Sequence, residues 1–193
     1  MRKIIFASNN KHKAEEIRSV LNDQWEIVTL VEAGLLIDIP EPHLTLEANA
    51  TEKSSTIFKL TKQDCFSEDT GLEVEALNGE PGVRSARYAG ESVSFEKNLD
   101  KLLLNMTGQK NRKAQFRTVI SLILHGTEHQ FEGICPGTII DAPRGKSGFG
   151  YDPVFIPEGD VRTFAEMSTD EKNKYSHRRK ATDQLIQFLK DNL

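Results

Sequence analysis

Several things are scarce in this chain, and each scarcity removes a class of explanation. Two cysteines occur in 193 residues, Cys65 and Cys135, far apart and in no Cys-x-x-Cys pair, so neither a disulfide framework nor a cysteine zinc site is expected. Long apolar runs are missing: the longest, Val119 to Leu124, falls well short of the ~18 residues that signal a membrane span. The apolar opening, Ile4 to Ala7, is too short for a signal-peptide core and is followed by polar residues, so a soluble cytoplasmic protein is expected. Excess basic charge is also missing. Lys plus Arg total 25 against 29 Asp plus Glu, a net charge of -4, which gives no general field for nucleic acid and requires any anion site to be local. No internal repeat, low-complexity tract or linker is evident. With 37% hydrophobic residues, residues 1–193 read as a single domain, with two lobes sharing a sheet as one arrangement.

What is present reads as alternating strands and helices. Lys3 to Ser8 is a short buried strand, followed by Ala14, Ile17, Val20 and Leu21 at helical spacing. Trp25 to Val31 suggests a second strand, and Pro40-Glu41-Pro42 forces an extended loop. Thr45 to Lys62 lacks Gly and Pro and predicts a helix capped by Thr45. Cys65 to Glu68 reads as a strand delivering Asp69 at its end, and Leu72 to Leu77 as an alternating strand before an Asn78-Gly79 turn. Ser94 is placed to cap a helix reaching Met106, with Phe95, Leu99, Leu102, Leu103 and Met106 as its apolar stripe. Ala114 to Leu124 and Gln130 to Ile140 predict a long hairpin around 125–129, and Ser176 precedes a last helix with Ala181, Leu185, Phe188 and Leu189 on one face.

The chemistry-bearing residues fall in three places. Ser8-Asn9-Asn10-Lys11-His12-Lys13 lies between a strand and a helix, where free amides and the helix dipole favour an anion; an ordinary polar turn with Asn10 as cap explains the same residues. It lacks the Walker A pattern, which disfavours a P-loop ATPase. Glu68-Asp69-Thr70-Gly71 offers adjacent acids, and Mg2+ takes one or two carboxylates plus phosphate oxygens, so Asp69 with Glu41, and Glu68 as a possible third, forms a reasonable set; an Asp-Thr-Gly turn is the plain alternative. Gly148-Phe149-Gly150-Tyr151-Asp152-Pro153, followed by Glu171-Lys172-Asn173 and Ser176-His177-Arg178, supplies an aromatic, a carboxylate, an amine and a guanidinium, the pieces needed to hold a base and its phosphates. A solvated cationic helix face is the usual meaning of a run such as Lys172 to Lys180. His125 and His129 read as solvated turn histidines, since no third metal ligand stands near beyond Glu128.

Taken in order, these motifs resemble the inosine/xanthosine triphosphate pyrophosphatases, the Ham1-like family, from end to end. The resemblance also rests on Asn78-Gly79-Glu80-Pro81-Gly82, Pro143-Arg144-Gly145 and Thr163-Phe164-Ala165-Glu166. It implies an α/β fold with an elongated mixed sheet and flanking helices, two lobes around a nucleotide cleft, and a homodimer. The implied activity is Mg2+-dependent cleavage of ITP, dITP or XTP between the α and β phosphates. Carried over by position, Ser8, Asn9, Asn10, Lys11, His12 and Lys13 would hold phosphate, Glu41 and Asp69 would bind Mg2+, and Asp69 would activate water. Thr70, Phe149, Gly150, Tyr151, Asp152, Lys172, His177 and Arg178 would contact the purine nucleotide, with no nucleic acid or membrane as partner. Two departures from the family pattern stand out: Asn9 replaces a usual glycine, and Ala48-Asn49-Ala50 replaces Glu-Asn-Ala, with Glu47 one place early.

Overall fold

The computed structural model describes residues 2–20, 25–91 and 94–192. Among these residues seven strands form one mixed sheet, in the order β2-β1-β3-β5-β6-β7 with β4 on β3. In chain order the elements are β1 (Arg2–Phe6), α1 (Lys11–Arg18), β2 (Trp25–Thr29), α2 (Leu46–Thr61), β3 (Cys65–Val74), β4 (Pro81–Gly82), α3 (Phe95–Asn105), β5 (Lys113–Leu124), β6 (Thr127–Ile139), β7 (Phe155–Pro157), α4 (Thr169–Asn173) and α5 (His177–Asp191). The α/β class and the mixed sheet agree with the sequence reading: β1 pairs in parallel with β2 and β3, whereas β3–β4 and β6–β7 are antiparallel.

The helix starts follow local chemistry. Asn10 Oδ1 accepts from the Lys13 amide, Thr45 Oγ1 from Ala48 and Ser94 Oγ from Lys97, each satisfying a first-turn donor that the helix itself cannot. Helix α2 stops where Lys62 turns left-handed at φ 56°. Helix α1 ends at Arg18, so Val20 lies beyond it, and Leu21 falls outside the described residues. On α3, Leu99 and Leu102 are buried as expected, as is Met106 just past its end, but Phe95, in the first turn, is 39% exposed.

Strand β3 departs from expectation. Instead of one strand ending before Asp69 and another beginning at Leu72, a single ten-residue strand runs from Cys65 through Asp69, Thr70 and Gly71 to Val74, and Glu75–Leu77 form a short 3-10 turn. The Asp-Thr-Gly turn is overridden by pairing: Leu72 and Glu73 register against Gly82 and Pro81 of β4. That approach needs Gly71, where a Cβ would stand 2.6 Å from the Gly82 carbonyl oxygen. The β5–β6 connection is also tighter than 125–129. Only His125 (φ 51°) and Gly126 (φ 81°) turn, both left-handed as a two-residue hairpin requires, while Thr127 to His129 belong to β6. His125 stays exposed, but His129 is no turn residue; its ring lies 4.3 Å from that of Phe188.

The chain folds into two compact units. One comprises 1–69, 118–133 and 178–193, the other 70–117 and 134–177. In the first, Ile4, Phe6, Ile17, Phe66, Leu122 and Leu185 belong to one buried cluster, and Ile5, Leu30, Ile57, Cys65 and Ile123 to another. In the second, Leu72, Leu102, Met106, Phe116, Phe155 and Phe164 belong to the core. Among the described residues no helix is long and apolar enough to cross a membrane.

Candidate active site

In the first unit, two acids predicted to work together do meet. Glu41, on the Pro40–Pro42 loop, and Asp69, inside β3, converge on one ammonium: Lys53 Nζ lies 2.5 Å from Glu41 Oε1 and 3.1 Å from Asp69 Oδ1. Asp69 is buried within a strand instead of projecting from a loop, as its position had suggested. Burial pushes its carboxyl above the ordinary carboxylate range, Lys53 and Lys13 pull it back, and Glu41 adds to the rise. For Lys53 burial disfavours the charged form, but Asp69 and Glu41 outweigh it and the ammonium is held more firmly than usual.

Sequence reasoning missed Lys53. Its signal lay in register: Leu46, Asn49, Ala50, Lys53, Ser54 and Ile57 are the buried residues of α2, so a lysine occupies an inward stripe where helices normally place apolar side chains.

Next along β3, Glu68 is fully buried among cations. Arg178 grips it with two bonds, Nε to Oε2 at 2.7 Å and Nη2 to Oε1 at 3.2 Å, and Lys13 Nζ reaches Oε1 at 2.7 Å. Arg178 Nη1 also bonds Glu16. Burial alone would raise the Glu68 carboxyl; Arg178 and Lys13 outweigh it, so the group stays ionised far below the usual range. Arg178, carried over as a nucleotide contact, is thus already engaged by protein carboxylates. Its guanidinium is 2% exposed and committed to two carboxylates, because α5 begins one residue earlier and turns it toward β3.

The rest of the 8–13 segment divides. Ser8 Oγ accepts from the Asn10 amide and Asn9 Oδ1 accepts from the Val31 amide, which ties the loop down where a glycine was expected. Lys11 and His12 are exposed, with His12 Nδ1 4.0 Å from Glu15.

The second unit gathers another group. Lys172 is buried with Nζ 2.7 Å from Asp152 Oδ2, and that oxygen also accepts from the Phe149 amide at 2.9 Å. The same ammonium lies over two rings, 5.3 Å from Phe149 and 5.2 Å from Phe164. His177 stacks on Phe116 at 4.7 Å. Lys172 is thus no solvated helix cation, whereas Lys174 and Lys180 are exposed. Phe149 and Gly150 remain half-exposed, as does Thr70. Tyr151, carried over as a nucleotide contact, is 4% exposed, and its hydroxyl donates to the Ser85 carbonyl at 2.8 Å.

A divalent cation suits the Glu41–Asp69 pair on the structure's own terms. Two carboxylates already converge on a positive charge, and Mg2+ needs only one or two of them when phosphate oxygens and water complete its shell. Among the described residues no cage of three or more His, Cys, Asp or Glu forms. Glu68, engaged by Arg178 and Lys13, is poorly placed to join, and Glu47 sits half-buried in the first turn of α2.

Residues 4–188 match the profile of the Ham1 family. The chain is 50% identical over 188 residues to a Flavobacterium psychrophilum protein named dITP/XTP pyrophosphatase, covering 97% of this chain and 99% of the relative. It is 52% identical over 190 residues to a Porphyromonas gingivalis protein of the same name, covering 98% of each. Among solved structures, the Staphylococcus aureus Ham1 protein superposes with a TM-score of 0.90 at 38% identity, covering all of both chains.

Proposed function

The chain belongs to the Ham1 family, and from that premise we propose that it hydrolyses deaminated purine nucleoside triphosphates, dITP, XTP and ITP, to the nucleoside monophosphate and pyrophosphate. The observation that carries the reading is the convergence of Glu41 and Asp69 on one cation, in a chain whose relatives bear the dITP/XTP pyrophosphatase name.

Water attacks the α phosphorus, the α–β anhydride bond breaks, and pyrophosphate leaves with the electron pair. Glu41 and Asp69 are the residues that would hold Mg2+, which when bound relieves charge on the phosphate oxygens. Asp69 is suited to take a proton from the attacking water, since burial makes its carboxyl more basic than an exposed aspartate. Lys13 is held on Glu68 beside the helix N-terminus, a cation available to phosphate. Phe149 offers a ring face for a base, backed by the ammonium of Lys172. Hypoxanthine and xanthine carry an oxygen where adenine carries an amino group. A donor at that position, from Lys172 or His177, would leave adenine with donor facing donor, a mismatch costing roughly 1–3 kcal/mol. A cytoplasmic homodimer is the setting we propose for this activity.

The test is pyrophosphate release with Mg2+ from ITP, dITP, XTP, ATP, GTP and dTTP. Preference for the first three is expected; equal turnover of all six overturns the selectivity, and no release from any overturns the activity.

A further inference from the structure

Resting on that reading, we infer that Asn49 is a positioning residue that clasps the loop carrying Glu41 to Asp69 and so sets the spacing of the two carboxylates toward a divalent cation. Asn49 lies on α2, is 1% exposed, and makes three polar contacts. Its Oδ1 accepts from the His43 amide at 2.9 Å, its Nδ2 donates to the His43 carbonyl at 3.1 Å, and Nδ2 also lies 3.4 Å from Asp69 Oδ2. The first two bonds pair the side-chain amide with a backbone amide as a neighbouring strand would. They fix which way the amide faces, because an oxygen that must meet an N–H forces the NH2 toward the His43 carbonyl and Asp69.

The loop needs such a hold. Residues 35–42 have no helix or strand, and Pro40 and Pro42 on either side of Glu41 carry no amide hydrogen. His43 is the first residue after Glu41 whose amide can be clasped. The third contact falls on Asp69 Oδ2 while Lys53 takes Oδ1, so the carboxylate is held from both sides. Side chains that orient ligand groups in this way commonly change metal affinity by about 10–100-fold when removed.

The experiment titrates Mn2+ into the nucleotide-free protein, followed by electron paramagnetic resonance of the free ion, and separately measures the Mg2+ dependence of pyrophosphate release from ITP. For Asn49→Ala, Mn2+ affinity should fall about tenfold and the Mg2+ concentration for half-maximal rate should rise to match, with kcat at saturating Mg2+ within about threefold of wild type. His43→Pro removes the backbone donor while leaving every residue of α2 in place and should move Mn2+ affinity in the same direction, which covers the case in which Asn49→Ala fails to fold; His43→Ala, which loses the imidazole facing Glu52 but keeps the amide, is its control and should leave Mn2+ affinity unchanged. Unchanged Mn2+ affinity in a folded variant overturns the inference, as does a kcat loss that saturating Mg2+ cannot recover, or a wild type that binds no Mn2+ at millimolar concentration. Because Mn2+ binding is read without nucleotide, its outcome is distinct from whether ITP is the substrate.

Discussion

The Nζ of Lys53 lies 3.1 Å from Oδ1 of Asp69, a cation and a carboxylate facing each other where neither side chain is more than 8% exposed. Buried partners of this kind are costly to separate, since removing one strands the other's charge in a medium that solvates it badly.

Lys53→Met should therefore leave Glu41 and Asp69 without their shared counter-ion and lower stability by about 3 kcal/mol. Millimolar Mg2+ should restore much of the loss, because a cation that binds only the folded state stabilises it by mass action. Urea melts with and without Mg2+ check this; an equal deficit in both would show that the carboxylates do not share a cation site.

Glu68→Gln removes the carboxylate that Arg178 and Lys13 share. Glu16 still partners Arg178, so the expected cost is at the lower end for a broken buried pair, about 3 kcal/mol. KM for ITP should also rise as Lys13 loses its anchor. Thermal melts and steady-state kinetics on one preparation read both.

Phe149 and Tyr151 are two residues apart and should answer differently. Phe149→Ala should raise KM for ITP by about tenfold, the loss of one stacked base. Tyr151→Phe forfeits only the bond to the Ser85 carbonyl, about 1 kcal/mol of stability, and should leave KM unchanged. A matching rise in KM for Tyr151→Phe would put its ring at the nucleotide after all.

Glu32 gives the pH prediction. The Thr29 amide, and then Arg18, hold its carboxyl down from an ordinary 4.5 to about 2. A folded value below the unfolded one means that the stabilisation is complete above pH 4.5 and drains away as pH falls toward 2. The side chain is 48% exposed, so solvent screening limits the effect to about 0.5–1 kcal/mol. Glu32→Gln should be less stable than wild type at pH 7 by that amount, with the gap closing through this acid range in denaturant titrations.

Local signals in the sequence translated well into structure. Asn10, Thr45 and Ser94 were legible as caps because a cap is a bond between a side chain and an amide three residues on, written entirely in neighbouring positions. The continuity of β3 was not, because Thr70-Gly71 looks like a turn until Pro81 and Gly82 pair alongside as β4, a partner absent from the local pattern. Glu41 and Asp69 were legible as acids of one kind, but the lysine joining them was hidden in a helix otherwise read as ordinary. Arg178 was legible as a functional cation, but its carboxylate partner was not, since nothing near it in sequence announces Glu68, 110 positions away.

Gly71 bears on how any saturation scan of this chain should be interpreted. Every substitution there drives a carbon into the Gly82 carbonyl and pries two paired strands apart, so an activity screen will score it as harshly as Asp69, its near neighbour in β3. Only a parallel readout of protein abundance separates the two: Asp69→Asn, isosteric and leaving Lys53 its bond to Glu41, should lose turnover far more than abundance, while Gly71 variants should disappear from the cell.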